Sequence, residues 1–255
     1  MAIGGDVDYD GRGAGYASHR RADPRIAAHI HAALGDARTV LNVGAGAGSY
    51  EPQDRYVLAL EPSDAMRAQR PVDAAPAVRG VAGALPFDDR AFDAVMAVMT
   101  VHQWPDLEAG LAELRRVSRG PVVVVAGNGE RLERFWLNDY APELIAAEKR
   151  RYPALERIAA RIGSTPTIEA IPIPIDCTDG ICEAYYARPE RLLDPAVRAA
   201  QSSWGFVDPA VEPRFVEALS ADLASGRWDE LYGQYRRRPT FDGSLYRVVG
   251  YAAET

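Results

Sequence analysis

The chain has 255 residues, 47% of them hydrophobic, and a formal net charge of −7. That is enough apolar material for one substantial core with an elaboration, while the negative balance argues against nucleic acid as the main partner, since a polyanion normally needs a basic face. No apolar run approaches about 18 residues and no basic stretch leads into an apolar amino terminus, so neither a membrane span nor a signal peptide is supported and the expected compartment is the cytoplasm.

Residues 1–22 are rich in glycine, tyrosine and arginine and show no clear period. A helix then starts cleanly: Asp23 caps it, Pro24 fits the first turn, Ile26, Ile30 and Leu34 share one stripe, and Gly35 stops it. Val40-Leu41-Asn42-Val43 runs into Gly44-Ala45-Gly46-Ala47-Gly48, and Tyr56-Val57-Leu58-Ala59-Leu60 runs into Glu61. These runs predict two parallel strands, 39–43 and 56–60, whose carboxyl ends hold a nucleoside. Glycine lets the backbone turn sharply and lets a ligand lie against it, and Glu61 can accept two hydrogen bonds from a ribose diol. The linking residues 49–54 are too few, and too interrupted by Pro52, for a crossover helix. The loop amides are therefore expected to hold the ligand without help from a helix dipole.

Further strands are predicted at 77–81, 92–98 and 121–126, the last continuously apolar as a strand covered on both faces should be. Leu107, Leu111, Leu114 and Val117 make a helix between the last two, opened by Asp106 and closed by Gly120. Beyond residue 126 the pattern turns helical over 130–140, 143–151 and 154–162. Residues 168–175, with Pro172 and Pro174, read as an edge strand, and 244–251 as the last strand. Cys177 and Cys182 lack a second pair or histidines at ligand spacing, which predicts reduced structural thiols and no metal.

The glycines fall at 44, 46 and 48, and Ser49 stands where a dinucleotide fingerprint would place its third glycine. Read with Glu61, with Leu85-Pro86-Phe87, with Phe92-Asp93 and with His102-Gln103-Trp104, the series resembles the class I S-adenosylmethionine (SAM) dependent methyltransferases, in their small-molecule branch. The resemblance implies an α/β fold: a Rossmann-like, doubly wound, mostly parallel seven-stranded sheet with an antiparallel last strand, here with a helical insertion. It implies one domain over 1–255, divided into an arm and helix (1–35), a core (36–175), a helical lid insertion (176–241) and the last strand (242–255). The insertion's aromatics, among them Tyr185, Tyr186, Trp204, Phe206 and Trp228, suit a lid over substrate or the small core of a buttress.

By the same resemblance the cofactor is SAM. Its methionine part faces Gly44, Ala45, Gly46 and Gly48, its ribose Glu61, and its adenine Pro62, Met66 and backbone near Ala82, with Met99 also in the set. Val81 and Gly83 stand where relatives carry acids, so adenine recognition falls to backbone and packing, and Asn42 replaces a frequent aspartate. Tyr16 and Arg20 belong to an arm that closes over the cofactor. Methyl transfer needs alignment and desolvation more than a fixed catalytic set. Where a base is needed, His102 after the fourth strand is the candidate; the competing reading makes His102 and Trp104 structural. Trp104, Trp136, Asn138, Tyr140, Tyr185 and Tyr186 are the substrate-binding candidates. The expected reaction is methylation of a small metabolite, plausible in specialised, antibiotic-type biosynthesis. Three alternatives stay open: transfer or cyclisation of the aminocarboxypropyl group of SAM, a nicotinamide-dependent oxidoreductase, disfavoured by Ser49 and the missing crossover helix, and a SAM-binding sensor without turnover.

Overall fold

The computed structural model describes residues 21–252; the expected contacts of Tyr16 and Arg20 lie outside them. Helix α1 (Pro24–Ala33) begins where Asp23 Oδ1 accepts from the Arg25 amide at 2.9 Å, and it buries Ile26 and Ile30. Strands β1 (Thr39–Val43) and β2 (Tyr56–Leu60) follow, joined by turns with no helix between them, so the missing crossover helix is borne out. Tyr50 lies in that link, buried in the core that α1 covers, and its hydroxyl bonds Asp179 at 2.7 Å. Helix α2 (Asp64–Ala68), β3 (Ala77–Val78), β4 (Ala94–Val98), α3 (Leu107–Val117) and β5 (Val122–Gly127) complete the first half.

The second half holds α4 (Gly129–Leu132), α5 (Pro142–Arg151), α6 (Leu155–Ala159), β6 (Ser164–Ala170), β7 (Ile173–Pro174), α7 (Pro195–Ala199), α8 (Val211–Ser225), α9 (Arg227–Tyr232), β8 (Thr240–Phe241) and β9 (Leu245–Tyr251). The seven-stranded sheet runs β3-β2-β1-β4-β5-β9-β6, with β1 to β5 parallel and β9 antiparallel to both β5 and β6. This is the expected doubly wound sheet with an antiparallel last strand.

Period-two burial divides the core. Val40, Met96, Val123 and Val125 face α1 and the inserted segment, whereas Leu41, Val95, Val122 and Val124 face α3 and α6. β5 is buried along its whole length, as its apolar run predicts.

The expected edge strand is corrected in position. β6 starts at Ser164, with a register shift between Ser164 and Thr167 where Pro166 interrupts donation. Residues 173–174 leave the large sheet and pair with β8. That short ladder ties the two ends of the insertion together. The helix expected over 130–140 is two pieces, α4 and a single turn at Trp136–Asp139, which brings Phe135, Trp136 and Leu137 into the core.

Candidate functional site

The glycine loop leaves β1 and folds over the end of β2. The Gly44 and Ala45 amides both donate to the Leu60 carbonyl, at 2.8 and 3.1 Å. Gly44, Gly46 and Gly48 have φ of 69°, 52° and 96°, the left-handed region that side chains rarely adopt. Space is short as well. A Cβ on Gly44 would lie 2.9 Å from both Cβ and Cγ2 of Thr100 and closer still to its hydroxyl, and one on Gly46 would lie 3.2 Å from Met66 Cε. The loop is thus seated against the residues that follow β4 and against α2.

Glu61 lies at the carboxyl end of β2, 6% exposed. Its Oε2 accepts from the Gly46 amide at 2.8 Å and its Oε1 from the Ser63 amide at 2.9 Å. Burial raises its carboxyl above the usual range, against the lowering effect of those two amides. Each oxygen keeps an acceptor site for one more donor.

Under the loop, Arg70 Nη2 bonds both Glu51 oxygens at 2.9 and 2.7 Å and also the Ala75 carbonyl. Asn42 Nδ2 donates to Glu51 Oε1 at 3.0 Å, while Asn42 Oδ1 is buried without a hydrogen-bond partner. The Arg70 and Glu51 side chains are 6% and 7% exposed, so this brace is an internal ion pair.

A cavity of about 80 Å³ lies past the carboxyl ends of β4 and β5 and the start of β9, where Met99, His102, Tyr152, Glu183, Gln201 and Ser244 are among its lining residues. Met99 has φ 52°, a strained backbone for a residue with a side chain, held by its amide donating to Val125 O at 2.8 Å. His102 lies edge-on to Tyr152, with ring centroids 5.4 Å apart. The Tyr152 ring packs on Gly127, where a Cβ would lie 2.5 Å from its Cδ2. Burial, then Glu148, pushes the Tyr152 hydroxyl well above its ordinary value.

Of the expected cofactor set, Gly44, Ala45, Gly46, Glu61 and Met66 lie together, with Thr100 packed against Gly44, and Ala82 is buried in the core on the α3 side of the sheet. The six substrate candidates fall elsewhere, and none lines the cavity. Trp104 packs on α3, where a Cβ on Gly110 would lie 2.7 Å from its Cζ3. Trp136 is 2% exposed and donates to Tyr186 O at 3.0 Å. Tyr140 donates to Asp222 at 2.8 Å, Tyr186 donates to Arg238 O at 2.7 Å and stacks on Phe241, and Tyr185 is buried beside Arg188. Asn138 is half-buried on the turn at Trp136–Asp139. Sequence reasoning did not single out Glu148, Tyr152, Glu183, Gln201 or Ser244. The one signal was Glu183 itself, a lone acid within Ile181-Cys182-Glu183-Ala184-Tyr185-Tyr186.

A family model described as a methyltransferase domain matches residues 41–126, the stretch from β1 through β5 that builds the loop, Glu61 and Met99. A solved structure from Anabaena variabilis, described as a methyltransferase from an antibiotic biosynthesis pathway, is 27% identical, covers 91% of this chain and 98% of its own, and superposes with a TM-score of 0.84. Residues 41–126 match a methyltransferase domain, and with the structural likeness this supports a class I SAM-dependent methyltransferase. Two more distant structures share the fold. One is the YcgJ protein of Bacillus subtilis, at 16% identity, coverage of 91% and 99%, and TM-score 0.53. The other is a phosphoethanolamine N-methyltransferase of Haemonchus contortus in complex with SAM, at 15% identity, coverage of 89% and 52%, and TM-score 0.52. No match is found among curated proteins.

SAM is the cofactor of this methyltransferase, and its residues fit the group: left-handed glycines that a Cβ would close, a buried carboxylate with spare acceptor sites, and the orphan acceptor Asn42 Oδ1 below them. Among the described residues no helix is long and apolar enough to cross a membrane, and no group of histidines, cysteines and carboxylates could hold a metal ion.

Proposed function

We propose that this methyltransferase methylates a small metabolite bound in the cavity beyond β4 and β5, in specialised, antibiotic-type biosynthesis. The observation that carries the reading is adjacency: the cavity wall at Met99 is joined through Thr100 to Gly44, so acceptor and cofactor loop share one edge of the sheet. The Anabaena relative, described as belonging to an antibiotic pathway, supports the biosynthetic setting. Gly44, Ala45, Gly46 and Gly48 line the methionine side, Glu61 holds the ribose hydroxyls, and Pro62, Met66 and Ala82 bound the adenine. The bound cofactor supplies a methyl carbon on a positively charged sulfur. The protein's part is to align the acceptor with that carbon and keep water out, for which buried Leu132, Leu144 and Ile145 in the cavity wall are suited. His102 faces the same cavity and is placed to take a proton where the acceptor must lose one. Residues 176–241 act as the lid, their ends pinned by the β7–β8 ladder.

The test uses SAM labelled separately in its methyl and carboxyl positions, incubated with the full chain and candidate acceptors. Methyl label in a product, with the carboxyl label staying on the cofactor, is expected. Carboxyl label in product would replace this reading with aminocarboxypropyl transfer. Absence of SAM binding by calorimetry would end both.

A further inference from the structure

The cavity holds two buried polar groups whose partners leave them incompletely matched. Glu183 is 4% exposed. The Ser244 amide donates to its two oxygens at 3.0 and 2.9 Å, and the Ser244 hydroxyl donates to Oε2 at 2.5 Å. These donors are neutral, and a buried carboxylate without a cation bears a large desolvation cost. Its neighbour in the wall differs: Glu148 already pairs with Arg151 at 2.9 Å. Gln201 is the second group, 6% exposed. Trp204 Nε1 donates to its Oε1 at 3.3 Å, and since an indole can only donate, that bond fixes which end of the amide is which. Gln201 Nε2 is then a buried donor in the cavity wall with no acceptor. His102 and Tyr152 line the same cavity, their rings edge-on to each other.

Resting on the methyltransferase reading above, we propose that the acceptor is a small amine, bound as its ammonium against Glu183, with an oxygen of the same molecule accepting from Gln201 Nε2. The size agrees, since about 80 Å³ holds only a handful of water-sized groups. Glu183 is suited to the proton transfer as well as to binding: burial pushes its carboxyl up to about 7, and the same burial lowers the ammonium. One ammonium proton passes to a Glu183 oxygen and frees the nitrogen lone pair. That pair forms the bond to the methyl carbon as the carbon–sulfur bond breaks, and its electrons stay on sulfur. The products are an N-methylammonium and S-adenosylhomocysteine (SAH), and the proton on Glu183 leaves to solvent. The other ionisable groups around the cavity are His102 after β4, Glu148, Arg151 and Tyr152 at the end of α5, and Cys182 beside Glu183.

Calorimetry with SAH comes first, on the full chain. Methyl-labelled SAM is then offered with small primary and secondary amines and amino alcohols, each matched to an isostere in which hydroxyl or methyl replaces the amine. Label should enter the amines at least about tenfold faster than their isosteres. Glu183→Gln should lower kcat/KM for the best amine about 100-fold, with SAH affinity unchanged. The wild-type kcat/KM should rise through about pH 7, and that inflection should vanish in the variant. If Glu183→Gln does not fold, Gln201→Leu serves in its place: it should remove the preference for amines that carry an oxygen over those that do not. Failure to bind SAH overturns the cofactor reading and the proposal together. SAH binding with label in no amine, or in the neutral isosteres equally, or with both variants behaving as wild type, overturns the amine alone.

Discussion

Replacing Gly44 with alanine tests the loop most directly. Two costs can be read from the structure. The residue has φ 69°, and holding an alanine in the left-handed region costs about 1–2 kcal/mol. The new Cβ would also lie 2.9 Å from Cβ and Cγ2 of Thr100, which is 8% exposed and has little room to move, and such overpacking costs about 1–3 kcal/mol. Together they reach about 2–5 kcal/mol, a fall in Tm of about 4–20 °C for a chain of this size. Thermal unfolding of Gly44→Ala, Thr100→Gly and the double variant closes a cycle. Removing the Thr100 side chain should return about 1–3 kcal/mol, the steric share, and leave the backbone share. SAH affinity should fall in Gly44→Ala, because the loop proposed to line the methionine side is displaced, and with it the Gly46 amide that positions Glu61. A Gly44→Ala protein with unchanged Tm and unchanged SAH affinity would refute the reasoning, and strict additivity in the cycle would refute its steric half.

Glu61→Gln keeps one acceptor oxygen but loses the charge and one of the two amide partners, so SAH affinity should weaken by about 1–3 kcal/mol in calorimetry; unchanged affinity removes Glu61 from the site. Arg70→Met strands buried Glu51, and urea unfolding should show a loss of about 3–5 kcal/mol, largely recovered when Glu51→Met is added; a loss below about 1 kcal/mol would mean that water reaches the pair. Glu183 sets a pH dependence of stability. Below the ordinary 4.5 both folded and unfolded chains carry the proton, and above about 7 both are ionised and the folded chain bears the burial penalty, so its contribution falls by about 3 kcal/mol as pH rises through that window. The Tm of Glu183→Gln relative to wild type should therefore climb between about pH 4.5 and 7, and a constant difference would count against the burial argument. Gly110→Ala drives a methyl into the Trp104 ring and should cost about 1–3 kcal/mol by thermal unfolding without altering SAH affinity; a specific loss of activity instead would return Trp104 to the substrate site.

The sheet and the glycine loop were legible in the sequence because their signals are local. The run at Val122–Gly127 reads as a strand covered on both faces, three glycines alternating with alanines read as a loop with left-handed backbone, and Glu61 closing the next apolar run reads as an acceptor at a strand tip. The shortness of the link from Gly44 to Tyr56 ruled out a helix there without any knowledge of what packs against it. Substrate chemistry was not legible in that way. Trp136, Tyr140 and Tyr186 are aromatic whether they face a ligand or one another, and packing turned them inward, onto Trp228, Asp222 and Phe241. Glu183 meets Ser244, Gln201 meets the cavity beside Met99, and Tyr152 lies on Gly127, all through chain reversals far apart in sequence. Periodicity reports how one segment meets water or core, whereas a site assembled from β4, α5 and the long insertion exists only once distant segments are packed together.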